Sequence, residues 1–233
     1  LSPRINNRKD KWGGSFENRA RLLQLILQKV RESVGNNFIL AVKINSSDFQ
    51  KGGLEISDSV KIANLIEKEN IDFIEVSGGN FEAPEAYQYV SLKESTKSRE
   101  AYFLDAAKNI KASVSIPIMV TGGFRSISVM EDALTSSSTD LIGIGRPFVI
   151  DPSFPYKLLN GDISVLPAVE RNFPPAQDIP KGAVLNWFCD QLALQGKTGK
   201  GDINIPLIDG HERYIKQSGE ATHSLISFRN DSK

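Results

Sequence analysis

The sequence predicts an α/β fold built on a parallel sheet. Three observations carry that prediction. Short apolar runs alternate four times with stretches of helical periodicity, glycines cluster where the apolar runs end, and the 233 residues are 40% hydrophobic with 24% charged. Strands alternating with helices imply right-handed crossovers, which place the strands parallel and the helices on the faces of the sheet. A chain of this length buries roughly 70% of the surface that it exposes when unfolded.

The first helix is read from Ser15 to Val34, with Leu22, Leu23, Ile26, Leu27, Val30 and Val34 at spacings of three and four, and Gly35 as the stop signal. Ser15 is the expected N-cap, and Glu17 lies near the positive end of the helix dipole. Residues Phe38 to Ile44 form an apolar run broken only by Lys43, the pattern of a strand buried on both faces. A helix follows from Ser57 to Glu69. The next cycle has a strand from Asp72 to Ser77, the loop Gly78-Gly79-Asn80-Phe81, a long polar excursion and a helix from Arg99 to Ala112. The third has a strand from Ile116 to Thr121, Gly122-Gly123 and a helix from Ser126 to Ser136. The fourth has a strand from Asp140 to Ile144, Gly145-Arg146-Pro147 and a short helix from Ser153 to Leu159.

Beyond Gly161 the character changes. Pro167, Pro174, Pro175 and Pro180 space out a linker before an amphipathic helix from Ala183 to Gln195, whose buried stripe is read as Val184, Trp187, Phe188 and Leu192. Residues 196–233 read as a polar, glycine-rich tail with a short helix near its end. Two domains are therefore expected: residues 1–162, and an extension over residues 163–233.

Composition excludes several functions. The chain has 28 basic and 28 acidic residues, so no basic face for nucleic acid or an anionic membrane surface is indicated. One cysteine, Cys189, forbids an internal disulfide, and two histidines give no Cys/His metal site. No apolar stretch approaches the ~20 residues of a membrane span and no secretory signal is read, so a cytoplasmic location is expected. Gly196-Lys197-Thr198 imitates the end of a phosphate-binding loop but follows a helix, and Gly143-Ile144-Gly145 lacks the third glycine of a dinucleotide turn. The sequons at Asn45 and Asn230 are read as chance matches.

Two features point to chemistry. Gly122-Gly123 and Gly145-Arg146 follow consecutive strands, where (β/α)₈ barrels place a phosphate site in the loops after their last two strands. Glycines let backbone N–H groups approach an anion and arginine can clamp it, although tight turns and a surface charge would give the same letters. Lys43 interrupts an apolar strand, so it either snorkels to solvent or points into the mouth of the sheet towards an anion.

The segments Leu1 to Arg21, Val42-Lys-Ile-Asn45, Val120-Thr-Gly-Gly-Phe-Arg125 and Asp140 to Phe148 resemble, in order, signatures of the old yellow enzyme family of NADH:flavin oxidoreductases. The resemblance runs from Leu1 to about Asp162, and more loosely from Pro174 to Gln195, where it is similar to fungal-type members. It implies the last four βα units of a TIM (β/α)₈ barrel. It also implies FMN as cofactor, NAD(P)H as electron donor and hydride delivery to a small-molecule substrate such as an enone. By position, Lys43 matches the residue facing the flavin N1 and O2 edge. Gly122, Gly123, Gly145 and Arg146 match the phosphate-holding positions, with Phe124 and Phe148 near the cofactor edge. The family's substrate-binding histidine and proton-donating tyrosine are expected upstream of Leu1. The alternative is a non-catalytic half barrel that binds a phosphate ligand or a partner chain through its unpaired sheet edges.

Overall fold

The computed structural model describes residues 1–79 and 100–231, with their side chains except at positions 176 and 223–231. The chain divides into two compact units, one ending at Ile144 and the other running from Gly145 onward.

In the first unit, α1 (Phe16–Val34) is capped by the Ser15 hydroxyl, which accepts the Asn18 N–H at 3.3 Å. Strand β1 (Ala41–Asn45), α2 (Ile56–Ile66), β2 (Phe73–Ser77), α3 (Leu104–Lys111), β3 (Ile118–Thr121), α4 (Ile127–Thr135) and β4 (Leu141–Gly143) follow. The four strands pair in parallel in the order β1-β2-β3-β4. Register aligns Val42 with Ile74, Ile74 with Ile118, and Val76 with Val120. Those side chains form the buried face, together with Ile62 and Ile66 of α2 and Ile110 of α3.

Several expectations need correction. The first strand is not buried on both faces: Phe38 and Ile39 precede it and are 60% and 71% exposed, and Lys43 is exposed as well. Strand β1 is an edge strand and its apolar partners line one face only. For the same reason α1 buries Ala20 and Leu27 while Leu22, Ile26 and Val34 stay exposed, because the helix packs against α2 on one side only. The third helix starts at Leu104 rather than Arg99, after a turn in which Ala101 takes φ 53°. Arg99, Asn80, Phe81 and the polar excursion lie outside the described residues.

The second unit contains α5 (Arg146–Ile150), α6 (Phe154–Leu159), α7 (Ala183–Thr198) and α8 (Leu207–Asp231). The tail is thus a 25-residue helix rather than a short one. Its path is fixed where Gly210 meets α7: a Cβ there would stand 2.5 Å from the Trp187 ring. Trp187 is fully buried, its indole N–H donates to Ile205 O at 2.9 Å, and it packs with Val184, Phe188, Phe173 and Leu207. Leu192 does not join this stripe and is 52% exposed, whereas the polar Asp190 and Gln191 on the same helix are buried. Asp190 is paired with Arg213, and Gln191 Oε1 accepts the Asp202 N–H at 2.7 Å, so α8 and its lead-in supply polar partners along that side. Among the described residues no helix is long and apolar enough to cross a membrane.

Candidate functional site

Parallel sheets of this class present ligands at the carboxyl ends of their strands, so the site is built from there downward. Alternation along β1 sends Val42 and Ile44 to the helix-covered face and Lys43 to the other. Its register neighbour is Glu75 of β2, and Lys43 Nζ donates to Glu75 Oε1 at 2.7 Å. The row continues through Met119 to Leu141, which is 42% exposed. Lys43 therefore belongs to an open sheet face and is held there as a fixed charge by a carboxylate. The sequence reading missed Glu75, although Val-Lys-Ile and Ile-Glu-Val repeat one pattern at matching strand positions.

One residue pair higher, the strand ends carry Asn45, Ser77, Thr121 and Gly143. Thr121 Oγ1 is buried and has no hydrogen-bond partner. A Cβ on Gly143 would lie 1.7 Å from that oxygen, so glycine is required beside it. Asn45 is anchored by donating from Nδ2 to Gly79 O at 2.7 Å.

The turn after β3 is shaped by aromatic rings. Gly122 has φ 142° and Gly123 has φ 82°, regions that side-chain-bearing residues rarely adopt. A Cβ at Gly122 would meet the Phe103 ring at 2.8 Å, and one at Gly123 would meet the Tyr102 ring at 2.5 Å. Phe103 also lies over Gly78 and stacks on Phe49 with centroids 6.1 Å apart. Phe49 itself has φ 54° and is half exposed. Its loop is closed by Asp48, whose N–H donates to Leu54 O while its carboxylate accepts the Leu54 N–H. Phe124 is buried in the core, which removes it from any exposed edge.

The second predicted turn differs. Gly145, φ −111°, is the N-cap of α5, and a Cβ there would meet nothing within 4 Å. Arg146 opens α5 and its Nη1 lies 2.8 Å from Glu170 Oε1, a carboxylate whose side chain is 1% exposed. Phe148 is partly exposed and packs edge-on against Phe154 at 4.4 Å. Gly196-Lys197-Thr198 does not follow a helix but forms the last turn of α7, which runs to Thr198 rather than Gln195.

With this geometry in view, residues 1–162 match the NADH:flavin oxidoreductase / NADH oxidase family. The chain belongs to that family. It is 34% identical over 177 residues to the NADH-dependent flavin oxidoreductase nadA of Aspergillus parasiticus, a match covering 73% of this chain and 38% of that protein. It is 37% identical over 164 residues to iliE of Neonectria sp., another NADH-dependent flavin oxidoreductase, covering 66% of this chain and 21% of the relative. Among solved structures, a 2-naphthoyl-CoA reductase complex superposes with a TM-score of 0.63 at 33% identity, over 71% of this chain and 25% of that one. The old yellow enzyme homologue from Zymomonas mobilis shares the fold, with a TM-score of 0.52 at 21% identity, over 77% of this chain and 46% of that one. The chain thus spans less than half the length of these relatives.

The first unit of this flavin oxidoreductase family member fits a flavin mononucleotide. An orphaned hydroxyl, Thr121 Oγ1, fills the space beside Gly143, a turn of backbone follows that side-chain-bearing residues rarely adopt, and Lys43, held by Glu75, lies on the open face below.

Proposed function

We propose that this chain supplies the flavin-holding half of an FMN-dependent oxidoreductase that draws on NAD(P)H and reduces an electron-poor alkene such as an enone. The observation that carries the reading is Lys43 fixed by Glu75 on the open sheet face, beneath the Gly122-Gly123 turn. When bound, FMN would supply the hydride transfer from nicotinamide to alkene. Lys43 would stabilise negative charge at the N1 and O2 edge, as a preorganised cation costs no reorganisation when charge develops. On the family resemblance, Gly122 and Gly123 would take the phosphate through backbone N–H groups, in a turn that Phe103 and Tyr102 hold as glycine. Gly145 and Arg146 are proposed phosphate contacts on the family resemblance, with the guanidinium shared with Glu170. Substrate-binding and proton-donating groups are assigned to the part of the relatives' length that this chain does not span, and residues 163–233 to a separate extension.

The test uses the chain as given and a version extended upstream by four βα units. The extended protein should purify yellow with FMN and oxidise NAD(P)H in the presence of an enone, and Lys43→Met should lower flavin affinity at least tenfold. A colourless extended protein without NAD(P)H oxidation would falsify the proposal. A second reading, a non-catalytic half barrel, is favoured by the exposure of Lys43 and Leu141 on the open face. It predicts that a phosphate ligand or partner chain binds without redox activity.

A further inference from the structure

Glu100 belongs to none of the roles above, yet its carboxylate anchors the segment just after the glycine turn. Its Oε2 accepts the Arg125 N–H at 2.7 Å and the Ser126 N–H at 2.8 Å, and its Oε1 accepts the Ser126 hydroxyl. Two residues later, the Tyr102 N–H donates to Gly122 O at 3.2 Å, and the Tyr102 and Phe103 rings lie on Gly123 and Gly122. Residues 100–103 thus hold the turn at both ends: a main-chain bond and two rings on the Gly122 side, a carboxylate on the Ser126 side.

Ser126 is the N-cap of α4 and its own side chain caps no amide. The free N–H groups at such a helix start attract anions. Here Glu100 occupies the amides of Arg125 and Ser126 with charge-assisted hydrogen bonds.

We propose that Glu100 is a positioning residue, which fixes the backbone of residues 122–126 and with it the Gly122-Gly123 turn that receives a phosphate group. This rests on the FMN reading above. The experiment measures dissociation constants of FMN and of riboflavin, which lacks the phosphate, by quenching of flavin fluorescence. Wild type, Glu100→Ala and Glu100→Gln are compared in the upstream-extended protein. Hydrogen exchange at residues 122–126 is measured in the same proteins without flavin.

In Glu100→Ala, FMN affinity should fall about tenfold, the effect of losing charge-assisted hydrogen bonds, while riboflavin affinity stays unchanged. Exchange at Arg125 and Ser126 should rise. Glu100→Gln, which keeps an acceptor oxygen, should fall between the two and carries the test if the alanine variant does not fold. Equal weakening of FMN and riboflavin overturns the proposal, because it signals general damage, and so does unchanged exchange at Arg125 and Ser126. A wild type that binds neither flavin defeats the FMN reading instead, and the exchange result then still decides whether Glu100 holds the turn.

Discussion

The two glycine turns look alike in sequence and are built on opposite principles. At Gly122-Gly123 the backbone dihedrals and the overlying Phe103 and Tyr102 rings both demand glycine, so the turn is a matter of space. At Gly145-Arg146 the dihedrals are ordinary and the space is open, so the turn is a matter of charge, set by Arg146 against the buried Glu170. Glycine turns after successive strands can therefore be held in place by packing in one case and by an ion pair in the other. Substitutions separate them.

The largest effect is expected at Gly123→Ala, which must place a Cβ where the Tyr102 ring lies and hold a strained φ. A loss of about 3 kcal/mol is expected in urea denaturation followed by circular dichroism. If stability is unchanged, the packing account of that turn is wrong. Arg146→Ala should cost about 2 kcal/mol in the same assay, less than a fully buried pair because Arg146 keeps some solvent. A double variant with Glu170→Gln should recover part of that loss, since less negative charge is then buried where the guanidinium is missing.

Acid gives a third, smaller contrast. Asp151 closes the short helix that Arg146 opens, and its carboxyl is held below its usual value of 3.8, first by Lys157 and then by the Ser153 hydroxyl. A depressed carboxyl contributes stability that is full above its ordinary value and is lost as pH falls through the folded one. Thermal stability of the second unit should therefore decline below about pH 4, and Asp151→Asn should flatten that decline. The smallest effect is expected at Gly145→Ala, within about 0.5 kcal/mol, because nothing stands where its Cβ would go.

The sequence made the order and type of the first unit's elements legible because apolar periodicity records burial. Ile74, Val76, Ile118 and Val120 lie on the covered face, as their runs imply. It misled at β1 because an apolar run cannot say how many faces are covered, and Ile39 is exposed in spite of its character. The α8 helix was not legible: Gly210 and Gly219 weaken its propensity, and tertiary packing of Gly210 on Trp187 overrides that cost. In the site, Lys43 stood out as a charge in an apolar strand, and its partner Glu75 was readable only through register. Glu100 and Glu170 could not be found at all, since each meets its partners through a turn whose geometry no local spacing encodes.

The chain has two tryptophans, and they fall in different units: Trp12 lies before α1, and Trp187 is sealed inside the helical unit with its indole N–H on Ile205 O. Each unit thus carries its own fluorophore. Replacing Trp12 by phenylalanine leaves an emission signal that belongs to the helical unit alone, and replacing Trp187 does the converse. Unfolding followed in the two variants would show directly whether the units melt together or one after the other.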